Sequence, residues 1–256
     1  MTTHTFAIPP HIAAAGIAGR PIDFEWEEGN TRQYYHDRTS DQLSAKIRPI
    51  SPRGKLALSA AIAEWVIWRL DGLAAFDDAR DYVAAAWAAV IDSRYLLEWG
   101  LPDDVEPAGP ALEPQWIAAH LLDDVFEVGE RRAPNTYQVN YLAFLAQHVV
   151  GSHPAYKRWL AAAMERLVEL SPISPATREF YKTTYHTKAE VDGFEWGAPV
   201  PRAALDTTRD YDVAQVPADL DAYLRSLDPA SNPFLATPEA LLDEGFEGTP
   251  YTYPPR

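Results

Sequence analysis

The sequence predicts a mainly α-helical protein, a single-domain bundle of about six main helices around a buried apolar helical hairpin. The first observation is the stretch 56–99, where two consecutive segments are apolar on nearly every face. A helix that is apolar all round is buried on all sides or lies in lipid, and neither segment reaches the roughly 18 to 20 uncharged apolar residues of a membrane span. The second observation is that prolines and glycines separate further segments of helical periodicity, while no linker divides the 256 residues into two cores.

Residues 1–50 are predicted to form an N-terminal arm or a small β-hairpin packed on the helical body. Ile22, Phe24 and Trp26 alternate with acidic residues, which is the period of a half-buried strand. A Gly-Asn turn follows, and 31–36 could return as the second strand. The alternative is an extended arm that lies on the body through its aromatic side chains.

The helical core is predicted over 51–192, and its first helix has a clear start. Ser51 is a favourable cap and Pro52 suits the first helical position, so this helix should run to about Leu70. The second is expected over 77–99, because two aspartates open it and Gly-Leu-Pro ends it.

Four further helices are expected where apolar residues recur at helical spacing between breaks, over 114–131, 136–150, 154–170 and 174–186. The proline-rich, acidic stretch 101–114 reads as a loop. Residues 193–256 are predicted to be an irregular, proline-rich C-terminal region. Short helices fit 218–226 and 238–244 there, and the tyrosine-bearing end should dock on the body or be disordered.

Cysteine usage and the N-terminal sequence bear on the compartment. The chain has no cysteine, which excludes disulfides, thiolate zinc sites and a thiol nucleophile. The first twenty residues lack an early positive charge and contain two prolines, so a secretory signal is not expected. We therefore expect a cytoplasmic protein.

The net charge of −15 is unevenly distributed. Residues 71–130 hold two basic residues against fourteen acidic ones, and 206–256 hold three against ten. Such a field repels phosphate backbones, so no nucleic-acid partner is expected. The same field would attract and steer a basic protein.

Motifs for specific chemistry are absent from the sequence. Neither Glu-x-x-His nor His-Glu-x-x-His occurs, and the histidines lack the spacing of metal ligands. Gly-x-Ser-x-Gly, the phosphate-binding loop and the dinucleotide fingerprint are also missing. We therefore predict no metal and no cofactor.

Buried charge offers one candidate pocket. Glu64 lies inside the apolar first helix, and Asp92 follows the apolar run of the second. A buried carboxylate must protonate or find a partner, which Arg69, Arg80 or Arg94 could supply. An ion pair would be structural, and a catalytic Glu64 is the alternative.

An aromatic stripe extends this candidate pocket. Tyr137, Tyr141, Phe144 and His148 fall along one face of the predicted fourth helix, with Asn140 nearby. Such a stripe could line a ligand pocket or a protein groove. Ordinary core packing is the alternative interpretation.

Three classes of function follow from these observations. The favoured one is a non-enzymatic acidic protein that binds and masks a basic protein partner, most concretely an immunity protein or antitoxin-type inhibitor of a toxin. The alternatives are an enzyme with a helical-bundle pocket that acts on a small molecule, and a structural or assembly component. The predicted partner contacts are the clustered acids Asp77, Asp78, Asp81, Asp103, Asp104, Glu106, Asp123, Asp124, Glu127 and Glu130.

Overall fold

The computed structural model describes residues 6–74, 77–97, 107–131, 136–151, 153–182 and 194–253, with the backbone alone over 127–131. These residues form eleven α-helices, three short 3₁₀ segments and no β-strand. The predicted mainly α fold class is confirmed. None of the described helices is long and apolar enough to cross a bilayer.

The α-helices are, in chain order, α1 (Pro10–Ala15), α2 (Arg32–Tyr35), α3 (Asp41–Ile47), α4 (Pro52–Arg69), α5 (Asp78–Ala89), α6 (Gly109–Arg131), α7 (Thr136–Val150), α8 (Pro154–Leu170), α9 (Pro175–Phe180), α10 (Val216–Ser226) and α11 (Pro238–Asp243). The 3₁₀ segments are Ser93–Tyr95, Arg202–Leu205 and Val213–Gln215. Isolated antiparallel bridges join Ile50 to Pro172 and Leu96 to Leu235.

Helix α4 is the centre of the fold. It packs against α5, α6, α7 and α8, and all of its residues except Arg53 are buried. The helix begins where the sequence predicts, because the Ser51 hydroxyl accepts a hydrogen bond from the Gly54 amide at 3.0 Å. An all-round apolar sequence thus becomes a helix surrounded by other helices.

Helix α5 ends earlier than the sequence predicts, at Ala89 rather than near residue 99. The reason lies in Asp92, whose carboxylate accepts the backbone N–H of Arg94 at 3.1 Å and opens the 3₁₀ segment Ser93–Tyr95. A side chain that satisfies a nearby amide competes with continuation of the α-helix. Residues 98–106 lie outside the described part of the chain.

Helix α6 begins at Gly109 and contains Pro114, where the sequence predicts the start of the helix. Proline lacks an N–H and disturbs the hydrogen bonding of the turn before it. The side chain of Gln115 supplies a hydrogen bond in this turn, since its Nε2 donates to the Ala111 carbonyl at 2.7 Å. The helix therefore continues through the proline.

Over its described residues, 6–50, the N-terminal segment is an arm and forms no hairpin. The predicted return strand is instead helical in α2, and the stretch before it contains no strand. Trp26 donates from its indole nitrogen to Glu113 at 2.7 Å and stacks on Tyr34 at 5.1 Å between ring centroids. Period-2 alternation suits an extended segment with one side against a helical body as well as it suits a strand, so the pattern alone does not select the hairpin.

The C-terminal region is fixed on the helical body by short elements. The two predicted short helices are present as α10 and α11. Tyr251 donates from its amide to the Tyr95 hydroxyl at 3.1 Å and from its own hydroxyl to the Ala236 carbonyl at 2.5 Å. The tail is thus docked through a tyrosine.

Candidate functional site

A cavity of about 550 Å³ opens at the N-terminal end of α4. It lies between α3, the start of α4, α9 and the beginning of α7. The described residues that line it are Ala45, Arg48, Pro49, Lys55, Thr136, Ile173, Arg178 and Tyr181. Three of these side chains are cationic, and none of them is acidic.

Lys55 is the unusual residue of this cavity. Its side chain is only 2% exposed, yet its ammonium group has neither a hydrogen bond nor an ion pair within the described chain. The nitrogen lies 4.6 Å from the centroid of the Tyr181 ring, which supplies a cation–π contact. Burial lowers the pKa of Lys55 to about 8, from an ordinary value of 10.5.

The backbone around Lys55 is held by a junction of three chain segments. The Ser51 hydroxyl lies 2.6 Å from that of Ser171, and the Ser51 amide donates to the Ser171 carbonyl at 2.8 Å. The Ile173 amide donates to the Pro49 carbonyl at 2.9 Å. The first turn of α4 therefore has a defined position relative to the cavity wall.

Gly197 completes this junction because a side chain would not fit there. Its φ is +87°, and an added Cβ would lie 2.5 Å from the Ser51 hydroxyl oxygen. Next to it, the Trp196 carbonyl accepts the Arg53 amide at 2.9 Å, which satisfies a donor in the first turn of α4. The segment that contains Trp196 and Gly197 is thus the third segment of the junction, and it lies directly against the capping residue Ser51.

Arg48 and Arg178 supply the other two positive charges of the cavity. Arg48 follows α3, and Arg178 lies on α9. Both are exposed, and neither forms an ion pair with a described residue. Two exposed guanidinium groups and a buried ammonium group therefore share one cavity with apolar walls. This arrangement can hold an anion by charge and hydrogen bonding.

Glu64, the first residue of the predicted pocket, is 1% exposed and pairs with Arg202. The Nε of Arg202 donates to its carboxylate at 2.6 Å. The partner expected from sequence, Arg69, Arg80 or Arg94, is therefore wrong. Those three arginines contact Asp23, Asp71 and Asp92 respectively.

The Glu64–Arg202 pair is closed off by the N-terminal segment. Arg202 donates to the Ala7 carbonyl at 2.6 Å, and its guanidinium carbon lies 4.0 Å from the Phe6 ring centroid. Burial raises the pKa of Glu64, and the positive charge of Arg202 opposes this shift. The Trp87 indole also lowers the pKa of Glu64, by less than Arg202 does, although its nitrogen does not reach hydrogen-bond geometry with any described acceptor. A paired and covered carboxylate has a structural role here.

The other residues of the predicted pocket lie in separate places. Asp92 is paired with Arg94 at 2.7 Å beside the end of α5. Asn140 is buried and donates to the Thr136 carbonyl at 2.6 Å and to the Ser44 hydroxyl at 3.1 Å. The structure does not bring either of them to Glu64 in a shared cavity.

Two residues of the aromatic stripe of α7, Tyr141 and His148, are covered by the N-terminal arm. His148 stacks on Tyr34 at 4.1 Å between centroids, and its Nε2 lies 2.6 Å from the Glu25 carbonyl oxygen. Tyr141 stacks on His36 at 4.7 Å. Phe144, on the same helix, is half-buried, and Tyr137 at its beginning is 56% exposed. Tyr141 and His148 therefore bind the arm to the body.

His11 is a buried titratable group that the sequence analysis missed. It stacks on Trp159 at 5.2 Å between centroids and lies 5.6 Å from Trp65. Neither ring nitrogen has a hydrogen-bond partner in the described chain, and burial lowers the pKa of His11 to about 4. It is thus a neutral ring in an aromatic stack.

The predicted acidic contacts are described only in part. Asp103, Asp104 and Glu106 lie outside the described residues, as do the side chains of Glu127 and Glu130. Asp77 and Asp78 are exposed at the start of α5, and Asp81 follows one turn later, half-buried. The Asp123 carboxylate on α6 accepts the hydroxyl of Tyr82 at 2.5 Å, and Asp124 lies beside it in the same helix. These acids therefore lie on two helices that pack against each other.

Lys55 was also missed, although a signal for it exists. The apolar run of α4 starts at Leu56, and Lys55 stands directly before it within the same helix. A lysine in the second turn of a helix buried on all sides has a buried stem, so its charge needs a partner or a cavity.

Comparisons with known proteins do not assign a relationship. No protein family matches the chain, and neither a curated protein nor a solved structure matches it significantly. Within the described residues, no group of three or more His, Cys, Asp or Glu side chains could hold a metal ion. The functional argument therefore depends on the geometry of the cavity.

Proposed function

We propose that the protein binds a small organic anion in the cavity at Lys55. The observation that carries this proposal is Lys55, a residue that is only 2% exposed and whose ammonium group has no acceptor in the described chain. The sequence also suggested a pocket for a small molecule as an alternative function. This proposal keeps the small-molecule ligand but places it in a different pocket, whose residues were not among those predicted.

Charge balance supports a negative ligand. With a pKa of about 8, Lys55 is mostly protonated at pH 7, so the cavity holds a positive charge with reduced hydration. Burying a lone ammonium group costs several kcal/mol even after relaxation of its surroundings. An anion that accepts hydrogen bonds from Lys55 would offset this cost, and Arg48 and Arg178 would add attraction within the cavity itself.

Size and lining indicate the kind of anion. About 550 Å³ lies within the usual range for small-molecule cavities. Ala45, Pro49 and Ile173 provide apolar wall, and the Tyr181 ring provides an aromatic face. A carboxylate or phosphate attached to an apolar or aromatic body fits these walls better than a free inorganic ion.

Calorimetric titration with benzoate and phenyl phosphate tests the proposal, with benzamide as the uncharged counterpart. We expect at least one of the two anions to bind and benzamide not to bind. Lys55→Met should weaken the affinity roughly 10- to 100-fold, because a charge-assisted hydrogen bond contributes about 1.5–3 kcal/mol. Lys55→Arg keeps the charge and should retain most of the affinity.

Lys46 provides the matched control, because it is an exposed lysine on the adjacent helix α3. Lys46→Met should leave the affinity unchanged. Failure of both anions to bind, or equal affinity of the wild type and Lys55→Met, would refute the proposal.

The second candidate is the acidic interaction function predicted from the sequence, for which one group of side chains provides support. Burial, together with the negative charges of Asp77 and Asp78, raises the pKa of Asp81. The start of α5 is thus a region where acidic groups repel one another, and Asp123 and Asp124 lie on the neighbouring helix. A basic protein bound there would relieve this repulsion. An immunity or antitoxin role is the concrete form of this candidate.

A further inference from the structure

We propose that Lys55 is an amine nucleophile that forms a reversible imine with an aldehyde or ketone carrying a carboxylate or phosphate group. This inference rests on the proposed anion-binding function and adds a covalent step to it. In this complex the carbonyl carbon takes the position at Lys55 that a simple anion would occupy, and Arg48 and Arg178 hold the anionic group.

The surroundings of Lys55 are those that such a nucleophile requires. A lysine held by a carboxylate has its proton stabilised and its lone pair occupied, whereas no described acid lines this cavity. Lysines become nucleophilic where apolar surroundings or neighbouring positive charge favour the neutral amine. Lys55 meets the first condition, since it is buried in α4, and burial is what lowers its pKa.

The free amine is accessible near neutral pH. A pKa of about 8 leaves roughly a quarter of Lys55 unprotonated at pH 7.5, against about 0.1% of an ordinary lysine. The described titratable and charged groups that share its cavity are Arg48, Arg178 and Tyr181, and the Tyr181 ring is in contact with the Lys55 nitrogen. Burial raises the pKa of Tyr181, so its phenol stays neutral in this range.

The step balances without an additional reactant. The lone pair of the Lys55 nitrogen forms a bond to the carbonyl carbon, while the carbonyl π electrons move to oxygen, which takes up a proton. The nitrogen loses a proton to give a neutral carbinolamine. The carbinolamine then expels its oxygen as water, leaving a C=N bond. Addition of water reverses the sequence, so neither an oxidant nor a reductant takes part.

Reductive trapping on the full-length protein tests the inference. The probe is para-carboxybenzaldehyde, with sodium cyanoborohydride to reduce the imine and peptide mass spectrometry to locate it. Lys55 should be modified at least roughly tenfold faster than the exposed Lys46 at pH 7.5, because far more of it is the free amine. Its rate should rise through pH 8 and then level off.

Two controls separate the covalent step from anion binding. The uncharged para-methylbenzaldehyde should modify Lys55 more slowly than the carboxylated probe, and benzoate should compete with the latter. Lys55→Arg should bind benzoate and give no adduct at position 55, which shows that the two properties are separable.

The outcomes distinguish the two proposals. If benzoate binds through Lys55 but this lysine is modified no faster than Lys46, the imine inference is overturned and anion binding stands. If neither benzoate nor phenyl phosphate binds and Lys55 is not modified selectively, both proposals fall. If Lys55 is modified selectively, but equally fast by the carboxylated and the methylated probe, Lys55 is a nucleophile and the proposed role of Arg48 and Arg178 is refuted.

Discussion

Two of the three buried charged side chains of helix α4, Glu64 and Lys55, have opposite surroundings. Glu64 has a direct partner in Arg202, and the N-terminal segment covers the pair. Lys55 faces a cavity and has no acceptor in the described chain. Removing one member of a buried ion pair leaves an uncompensated charge, whereas a lone charge beside a cavity is available to a ligand. The same helix therefore carries one charge for the fold and one for binding.

The Glu64–Arg202 pair should show strong energetic coupling. Glu64→Gln and Arg202→Gln are each expected to lower the free energy of unfolding by roughly 3 kcal/mol, because each leaves a buried group without its charge partner. The double variant should lose clearly less than the sum of the two. Urea denaturation measures all three values.

The surface pair Asp92–Arg94 is the control for this cycle. Both side chains are partly exposed, so Arg94→Gln should change stability by less than about 1 kcal/mol. Additive effects of the Glu64 and Arg202 substitutions would contradict the ion pair seen here.

At the level of single residues, the sequence predicted that Glu64 needs a partner but did not predict which residue supplies it. Glu64 is conspicuous because it interrupts an apolar helix. Its partner is 138 positions away, in a 3₁₀ segment that has no signal of its own, so the nearer arginines were the natural but wrong candidates. Lys55 was overlooked because a lysine near a helix start is usually exposed. Only the packing of α3 and α9 around it reveals the cavity.

At the level of elements, the start of α4 depends on the close approach of Gly197 to Ser51. Gly197→Ala should lower the free energy of unfolding by roughly 2–4 kcal/mol, since the new Cβ meets the capping serine and the backbone conformation is left-handed. It should also weaken binding of the anion, because the same junction positions Lys55.

Gly245 is the matched control for Gly197. Its φ is +81°, and an added Cβ would meet nothing within 4 Å. Gly245→Ala should therefore show the conformational penalty alone, about 1 kcal/mol. Equal losses in the two variants, measured by urea denaturation, would show that the contact with Ser51 is not important.

Helix boundaries were predictable where a proline or a glycine in the sequence marks the start or the end of the helix. The observed bounds of α7 and α8 are those predicted, because Pro154 opens α8 and Gly151 ends α7. The end of α5 was not predictable from periodicity, since it depends on how one aspartate satisfies a backbone amide. Likewise, α2 replaces the predicted strand because its tyrosine packs against Trp26. The end of α5 is therefore set by a local side-chain contact, and α2 by packing within the N-terminal arm.

At the level of the whole molecule, the charge distribution sets apart two regions. The acidic groups of α5 and α6 lie on two helices in contact, while the described lining of the Lys55 cavity has three cationic side chains and no acidic one. A protein with net charge −15 repels anions at long range, so a cationic cavity must act locally, within the screening length of about 8 Å at physiological salt. The two candidate functions therefore concern different surfaces.

Charge reversal tests the acidic surface separately from the cavity. A partner captured on the wild-type chain should associate roughly tenfold more slowly with Asp77→Lys/Asp78→Lys at low salt, and the dependence of the rate on salt should flatten. Surface plasmon resonance measures both quantities. Asp243→Lys/Glu244→Lys changes an exposed acidic doublet in the C-terminal region and should have a smaller effect. Absence of any captured partner, or equal effects of the two variants, would contradict this function.

The central claim is that Lys55 is a buried ammonium group whose missing counter-ion is a ligand. A pH titration of the lysine side-chain carbon resonances by NMR tests this claim most directly, with Lys55 assigned from the Lys55→Met spectrum. In the free protein, the Lys55 resonance should titrate near pH 8, and saturating benzoate should move its midpoint upward, because a bound anion favours the charged form. A Lys55 resonance that titrates with the other lysines near pH 10.4 and does not respond to either benzoate or phenyl phosphate would contradict the claim.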